Sequence, residues 1–243
     1  MQTWAITDPG NIREQNQDAY AVINFGHERM LLVVCDGMGG AKSGNVASSL
    51  AVEVFTEEVR RVQKTGMRRE AIDAMLTGAL QLANQAVFDQ AHLSEEFRGM
   101  GTTLVAVWIS RDLAVVINVG DSRAYHFTRE DVRLITRDHS MVAYMVERGE
   151  LTQEQAKLHP GKNVITRAVG TEPEVEGDVF TCRLRRDECI LLCSDGLSNE
   201  MADQEMLFEV VHGLSKSDCC QRLLHIAKNR GAPDNVTVTL AAV

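Results

Sequence analysis

The stretch MLLVVCDGMGG, residues 30–40, carries the strongest fold signal in the chain. Its first six residues are apolar and suit a buried strand, and a turn near Gly26 joins that strand to an earlier one over residues 19–24. Asp36 stands where the strand ends. The glycines after it are too dense for a strand, and they precede a helical pattern that begins at Gly44. The stretch therefore predicts a buried hairpin strand that carries a carboxylate at its end.

Aspartate also stands at the ends of other apolar strands. The matching positions are Asp195 after ILLCS (190–194), Asp121 after VVINVG (115–120), and Asp234 before a final strand over 235–243. A single Asp-Gly after a strand is usually a turn. Several carboxylates that meet at strand ends would lose hydration and repel one another, and divalent cations such as Mg²⁺ or Mn²⁺ relieve both penalties. The pattern favours a metal site, with a set of ordinary turns as the alternative.

The remaining periodicities predict an α+β protein. Helical spacing is found over residues 44–59 and, after a break near Gly66, over 72–87. Further strands are predicted at 102–109, 113–119, 123–128, 132–136 and 188–193, and further helices near 203–212 and 217–229, the latter after a capping pattern of Ser215 and Asp218. Hairpin-length connections favour antiparallel sheets. We therefore expect two antiparallel sheets packed face to face with helices outside, a four-layer α-β-β-α sandwich. No linker is visible, which predicts one domain over residues 1–243.

Residues 138–170 differ from the rest of the chain. They contain two short helical pieces, and the second opens with a capping box formed by Thr152 and Gln155. The segment ends in a loop rich in polar and turn residues. A long segment of this kind within a folded domain is often functional, so we predict a flap here.

Composition limits the functional classes. The 243 residues carry a net charge of −9 with a pI near 5.3, which argues against a nucleic-acid-binding face and is compatible with a cation site. No apolar run approaches the roughly 18 residues that span a bilayer, and the N-terminus shows no signal-peptide pattern. The six cysteines include no Cys-x-x-Cys pair, so we expect buried, reduced thiols in a cytoplasmic protein.

Two further motifs bear on phosphate chemistry. Arg13 follows a turn and precedes the first predicted strand, with Asp18 shortly after it. An arginine fork can hold two phosphate oxygens, although an isolated arginine in such a place is usually a surface ion-pair residue. The glycine-rich stretch 37–40 could expose carbonyl ligands or form a phosphate-binding nest. It lacks the spacing of a P-loop or a dinucleotide-binding motif.

In their order along the chain, these motifs resemble those of the metal-dependent protein Ser/Thr phosphatases of the 2C type (PPM), particularly the small bacterial members. The resemblance covers residues 7–240. It rests on Arg13 with Asn16-Gln17-Asp18, Asp36-Gly37-Met38-Gly39-Gly40, Gly101-Thr102-Thr103, Gly120-Asp121-Ser122-Arg123, Asp138-His139-Ser140, Arg167-Ala168-Val169-Gly170, Ser194-Asp195-Gly196-Leu197 and Asp234-Asn235. The resemblance implies two central antiparallel sheets flanked by helix pairs.

The resemblance also implies a binuclear Mn²⁺ or Mg²⁺ site at one end of the sandwich, with a weaker third ion. The implied roles are Asp36 as the bridge between both ions, Asp195 and Asp234 on the first ion, the Gly37 carbonyl on the second with Asp18 acting through water, Asp121 with Asp195 on the third, and Arg13 on the phosphate. Two cations would lower the pKa of a water held between them, which makes that water a better nucleophile. The implied reaction is hydrolysis of phosphoserine and phosphothreonine on proteins without a phosphoenzyme.

Two positions depart from the family pattern. Gln17 stands where many members have Glu, so weaker binding of the second ion is expected. Met38 stands where eukaryotic relatives have the histidine that is thought to be the general acid. Two candidates for the acid are then open, a water on the third ion and His159 in the flap. The alternative for His159, which precedes Pro160, is an ordinary surface histidine.

Three functions are compatible with these residues. The first is an active phosphoprotein phosphatase that opposes a bacterial Ser/Thr kinase, and the intact aspartates favour it. The second is a catalytically silent relative that binds phosphoproteins as a scaffold, and the third is a hydrolase of small phosphoesters. The resemblance implies phosphoprotein substrates, a cognate kinase and a cytoplasmic location. We expect a monomer, with no nucleic acid partner and no membrane insertion, and flap side chains that shape substrate choice.

Overall fold

The computed structural model describes residues 1–39, 43–213 and 215–243. The strands are β1 (Gln2–Asp8), β2 (Asp18–Gly26), β3 (Arg29–Met38), β4 (Gly101–Thr102), β5 (Leu104–Ser110), β6 (Leu113–Val119), β7 (Arg123–Phe127), β8 (Val132–Leu134), β9 (Asp178–Arg183), β10 (Cys189–Cys193) and β11 (Val236–Ala242). The helices are α1 (Gly44–Val62), α2 (Arg69–Leu93), α3 (Met141–Glu147), α4 (Gln153–Leu158), α5 (Asp195–Ser198), α6 (Asp203–Leu207) and α7 (Cys219–Asn229). A π-helical turn (Phe208–His212) extends α6, and a 3₁₀ turn (Glu95–Phe97) precedes β4.

The strands form two antiparallel sheets. The first has the order β1-β11-β10-β7-β8, and the second has the order β2-β3-β5-β6-β9 with β4 paired to β3. Short connections such as the turn between β2 and β3 suit antiparallel pairing, because a parallel crossover needs a dozen or more residues. The predicted α+β class is confirmed.

Three apolar clusters separate four layers of structure. Between the sheets, Leu32 of β3 and Ile190 of β10 belong to one cluster. The other face of the second sheet packs on α1 and α2, where Phe55 is fully buried. The other face of the first sheet packs on α5, α6 and α7, where Leu223 is fully buried. Because both faces of the central strands are covered, β3 and β10 are continuous apolar runs. The predicted α-β-β-α sandwich is confirmed.

Local periodicity does not predict two of the strands, β1 and β9. Both lie at sheet edges, and most of their residues are only partly buried. Apolar residues are not required at every inward position of such a strand, so the alternation that identifies a strand is weak.

The capping pattern of Ser215 and Asp218 was wrong. The last helix, α7, begins at Cys219, and Asp218 takes the N-cap position without a side-chain hydrogen bond. Ser215 Oγ instead accepts a hydrogen bond from Ser217 N at 3.2 Å. A serine hydroxyl can accept a hydrogen bond from a backbone N–H in a turn as well as from one at a helix end. Here Ser215 bonds to the turn that precedes α7.

The flap segment, residues 138–170, contains α3 and α4. Thr152 Oγ1 accepts from Gln155 N at 3.2 Å, and Gln155 Oε1 accepts from Thr152 N at 2.8 Å. This reciprocal pair confirms the predicted capping box.

The cysteines are buried and unpaired, as expected from the sequence. All six are buried free thiols, as small apolar residues in a core would be. Within the parts of the chain that the structure describes, no helix combines the length and apolar character that a bilayer crossing requires.

Candidate active site

Strand ends from both sheets meet at one edge of the sandwich. In the second sheet, β2 begins at Asp18, which the strand register places directly opposite Asp36 of β3. In the first sheet, Cys193 at the end of β10 pairs with Arg123 at the start of β7 and with Val238 of β11. The edge brings together the five predicted aspartates, here called the aspartate cluster: Asp18, Asp36, Asp121, Asp195 and Asp234.

Burial and mutual repulsion raise the pKa values of four carboxyls in the aspartate cluster. Burial raises the pKa of Asp36 well above its usual value, and the charges of the other four members raise it further. Burial, followed by the charge of Asp195, raises the pKa of both Asp18 and Asp121 to about 7. Burial and the charge of Asp234 raise the pKa of Asp195, and a hydrogen bond with Asp36 partly offsets this. Ionising the whole cluster without a cation is therefore costly.

The donor chemistry of the cluster fits divalent cations. Asp18 Oδ1 and Asp195 Oδ1 are buried and have no hydrogen-bond partner, a costly state for carboxylate oxygens. Oxygen ligands are those that Mg²⁺ and Mn²⁺ prefer. Across the described residues, no three Asp, Glu, His or Cys side chains are grouped so that they alone could hold one ion. An ion here would keep water in part of its coordination shell, as Mg²⁺ usually does in proteins.

Arg13 lies at the same edge as the cluster. Its Nη2 donates to Asp234 Oδ2 at 2.8 Å, while 55% of its side chain stays exposed. The bond to Asp234 raises the pKa of Arg13, with smaller contributions from Asp36 and Asp195. Arg13 thus forms an ion pair, but its partner belongs to the cluster. A guanidinium has five N–H donors, so further donors are available to an anion that binds there.

Threonine hydroxyls to which the sequence analysis gave no role hold Asp36 in place. Thr103 Oγ1 accepts from Asp36 N, and both Thr102 Oγ1 and Thr103 N donate to Asp36 O, all at 2.9 Å. Thr103 therefore interrupts the strand predicted over residues 102–109, and β5 begins only at Leu104. Two adjacent threonines in front of an apolar strand were the available signal, because such hydroxyls favour bonds to nearby backbone.

Removal of the Thr103 hydroxyl is expected to destabilise the site. Thr103→Val keeps the side-chain shape but leaves Asp36 N without its acceptor, so we expect a loss of about 1–3 kcal/mol in the free energy of unfolding and a lower turnover. Thr103→Ser keeps the hydroxyl and serves as the control. Urea denaturation and an activity assay of both variants measure the effect, and equal stability of the two would contradict this role.

Ser194 holds a second member of the cluster, Asp18, by its carboxylate. Its Oγ donates to Asp18 Oδ2 at 2.7 Å and accepts from Thr237 N at 3.0 Å. Ser194 also precedes Asp195 in the chain. One dipeptide therefore supplies a cluster carboxylate and orients another.

Gly37 is required by a close approach of backbone. A Cβ at this position would overlap Gly44 O at the start of α1 and would lie 2.6 Å from Gln17 O. Gly37 N donates to Gln17 O at 3.0 Å. The peptide after Asp36 therefore has other backbone packed on it from two sides. Its carbonyl as a metal ligand stays a prediction, and Gly40 of the same motif lies outside the described residues.

Both ends of the predicted flap, residues 138–170, are hydrogen-bonded to backbone next to site residues. His139 N donates to Gly120 O at 2.9 Å, and Gly120 N donates to His139 Nδ1 at 3.1 Å. Burial lowers the pKa of His139, which favours the neutral ring that this bond needs. At the other end, Thr102 and Val169 exchange two backbone bonds of 3.0 and 2.8 Å. The flap is thus anchored beside Asp121 and beside the threonines that hold Asp36.

The chain matches known proteins over most of its length. Residues 12–226 match the family described as Protein phosphatase 2C. The chain belongs to the protein phosphatase 2C family. It is 36% identical to the serine/threonine phosphatase stp of Listeria welshimeri, over 96% of this chain and 92% of that protein. It is 33% identical to the protein phosphatase PhpP of Streptococcus pneumoniae, over 100% of this chain and 98% of that protein.

Solved structures of similar phosphatases have the same fold. Stp1 from Staphylococcus aureus matches with a TM-score of 0.93 at 34% identity, and the match covers 100% of this chain and 94% of that one. The catalytic domain of PstP, crystallised in complex with two manganese ions, matches with a TM-score of 0.84 at 31% identity. This match covers 99% of this chain and 97% of that one. This phosphatase 2C is accordingly a protein serine/threonine phosphatase, similar to small bacterial members of the family.

His159 of the phosphatase, one candidate for the general acid, lies in a turn of the flap. Its Nδ1 accepts from Gly161 N at 3.0 Å, and its carbonyl accepts from Lys162 N at 3.1 Å. These bonds give His159 a structural role in stabilising the turn. A catalytic role for it stays a prediction.

Proposed function

We propose that this phosphatase hydrolyses phosphoserine and phosphothreonine on proteins at a centre of two divalent ions, Mn²⁺ or Mg²⁺, with a weaker third ion. The observation that carries the proposal is the aspartate cluster, in which two buried carboxylate oxygens lack a partner. The manganese complex of PstP supports the same view. Residues 1–243 would act as one catalytic domain, with residues 138–170 as its flap.

The residues that would hold the ions are those of the aspartate cluster together with one carbonyl. We assign Asp36 to both main ions, Asp195 and Asp234 to the first, Gly37 O and Asp18 to the second, and Asp121 with Asp195 to the third. When bound, such ions lower the pKa of water towards neutrality and offset phosphoryl charge. Thr102 and Thr103 hold the backbone of Asp36, and Ser194 orients the carboxylate of Asp18.

Arg13 would bind the phosphoryl group of the substrate. Its planar fork can hold two oxygens at once, and its bond to Asp234 places it beside the carboxylates before substrate arrives. Positioning of this kind is a major part of phosphoryl-transfer catalysis.

A covalent route through cysteine is disfavoured. Burial raises the pKa of Cys193 to about 12 and raises that of Cys35 as well. Each thiol directly precedes or nearly precedes a cluster aspartate in the chain, yet both stay protonated near neutral pH, and only a thiolate attacks efficiently. Water is therefore the nucleophile that the site supports, and no phosphoenzyme is needed.

We further propose phosphoprotein substrates, a cognate Ser/Thr kinase whose action the enzyme reverses, and a cytoplasmic monomer that binds no nucleic acid. The names of the relatives from Listeria and Streptococcus support protein substrates, and the net charge of −9 argues against nucleic acid. Exposed apolar flap residues such as Tyr144 and Leu158 are available to contact a peptide.

A metal-titrated assay tests this function. Metal-stripped protein should release phosphate from a phosphoserine or phosphothreonine peptide only after Mn²⁺ is added, and a chelator should stop the reaction. Full turnover by the stripped protein would refute the proposal. Faster turnover of nucleoside monophosphates than of phosphopeptides would favour the hydrolase of small phosphoesters. Absence of Mn²⁺ uptake in calorimetry would favour the silent phosphoprotein-binding relative.

Arg13→Lys is expected to raise KM for a phosphopeptide by about ten- to hundredfold, because lysine lacks the fork and loses a charged hydrogen bond. Steady-state kinetics measure KM and kcat separately. Arg183→Lys, which alters a surface pair with Asp112 outside the cluster, should behave as wild type. An unchanged KM in Arg13→Lys would show that Arg13 does not bind the phosphate.

A further inference from the structure

Asn235 makes three hydrogen bonds to the backbone of one loop. Its Oδ1 accepts from Gln17 N at 2.8 Å, and its Nδ2 donates to Pro9 O and Gln15 O, each at 3.0 Å. The residue is only 4% exposed. Both Nδ2 hydrogens of the amide are used. The side chain therefore links three peptide groups of the loop to one another.

The joined loop, residues 9–17, carries Arg13. It connects the end of β1 at Asp8 to the start of β2 at Asp18 and contains no helix or strand. Arg13 is mostly exposed and reaches Asp234 from this loop. A long side chain on irregular backbone keeps one position only if the backbone beneath it is fixed, because both chain and side chain gain entropy by moving.

We propose that Asn235 is the positioning residue of the phosphate-binding arginine. By joining the backbone of residues 9–17, it sets where the Arg13 guanidinium stands over the aspartate cluster. The inference rests on the proposed function, in which Arg13 binds phosphate. Asn235 directly follows Asp234, so one dipeptide supplies both the carboxylate partner of Arg13 and the support of its loop.

The chemistry at position 235 calls for an amide. An aspartate would keep an acceptor for Gln17 N, but it would place an oxygen against Pro9 O and Gln15 O, where no hydrogen is left to form a bond. A serine is neutral and too short to reach all three groups. Asn235→Asp and Asn235→Ser thus remove the support in two ways, one with an added charge and one without.

Asn84 offers a matched control. Its Oδ1 accepts from Gly170 N at 2.7 Å, and its Nδ2 donates to Glu172 O at 3.0 Å and Pro173 O at 3.1 Å. It is fully buried. Its bonds have the same pattern as those of Asn235, but they hold a different loop. Asn84→Asp therefore removes an equivalent support without touching residues 9–17.

The test is a double-mutant cycle on the full-length, Mn²⁺-loaded enzyme with a phosphopeptide. We expect both Asn235 variants to lower kcat/KM by about ten- to hundredfold. In an Arg13→Ala background we expect a further loss of less than about twofold, since a misplaced loop matters only if it carries the guanidinium. Asn84→Asp should lower Tm and change kcat/KM by the same factor in both backgrounds.

Hydrogen exchange gives a second measurement that does not depend on activity. Exchange over residues 9–17 should be faster in both Asn235 variants than in wild type, and Asn84→Asp should leave it unchanged. In wild-type protein the Gln17 amide should be protected, an outcome that needs no variant. Calorimetry should give Asn235→Ser the Mn²⁺ affinity of wild type, which separates loss of the support from the effect of a charge beside Asp234.

An equal loss of kcat/KM in both Arg13 backgrounds would overturn the inference, and so would unchanged exchange over residues 9–17. If Arg13→Ala alone left kcat/KM unchanged, the proposed function of Arg13 would fail instead, and the exchange data would still decide whether Asn235 holds the loop. If Asn235→Asp does not fold, Asn235→Ser decides the cycle.

Discussion

Asp36→Asn is expected to lower metal-dependent phosphate release by on the order of a thousandfold or more. Asp36 stands directly opposite Asp18 in the strand register, and the charges of all the other cluster members reach it. Asparagine has nearly the same shape but no charge, so it draws divalent ions far less strongly. The effect should appear both in phosphopeptide turnover and in calorimetric Mn²⁺ binding.

The same substitution should leave the fold intact. Without a cation, folding must either bury the charge of Asp36 or protonate its carboxyl, because burial raises its pKa well above the usual value. Asparagine avoids this cost, so chelated Asp36→Asn should melt at or above the temperature of chelated wild type at neutral pH. Asp112→Asn, which alters an exposed pair with Arg183, is the control and should keep full turnover. If Asp36→Asn kept wild-type turnover and Mn²⁺ uptake, the cluster would not be the catalytic centre.

The metal-free enzyme is expected to lose stability as pH rises from about 4 to about 7. An aspartate in the unfolded chain has a pKa of about 4, whereas burial and the charge of Asp195 raise the pKa of Asp18 to about 7 in the folded protein. The folded state binds more protons in this window, so the free energy of unfolding falls as pH rises. The contribution is fully present below pH 4 and lost above pH 7, and for one such carboxyl it is on the order of 4 kcal/mol.

Urea denaturation in the presence of a chelator, at intervals from pH 4 to pH 8, measures this loss. Asp18→Asn lacks the titrating group and should show a flatter profile, with higher stability than wild type at pH 8. Added Mn²⁺ should restore stability above pH 7, because it binds the ionised carboxylates of the folded state. A wild-type profile that is level or rises with pH would contradict the raised pKa values.

The carboxylates of the candidate site can be located from the sequence, because each lies at or near an end of an apolar strand. The predicted end of the strand at Asp36 was wrong, since β3 continues to Met38 through pairing with β4. Asp36 and Asp195 follow continuous apolar runs, and burial on both faces makes such runs easy to identify. The family resemblance then assigned their roles. Edge strands such as β1 and β9 lack that double burial, which is why local periodicity did not reveal them.

Local periodicity predicts which carboxylates stand at or near strand ends and that helices flank two sheets, because a pattern over a few residues reports local burial. Which residues meet across the chain becomes visible only in the folded protein. The Arg13–Asp234 pair joins positions 221 apart in the chain, and Asn235 supports a loop near the opposite terminus. The partners of Asn235 are backbone N–H and C=O groups, which nearly every residue type has, and the Arg13–Asp234 pair joins two residue types that are common on any surface. No local sequence pattern therefore predicts either contact.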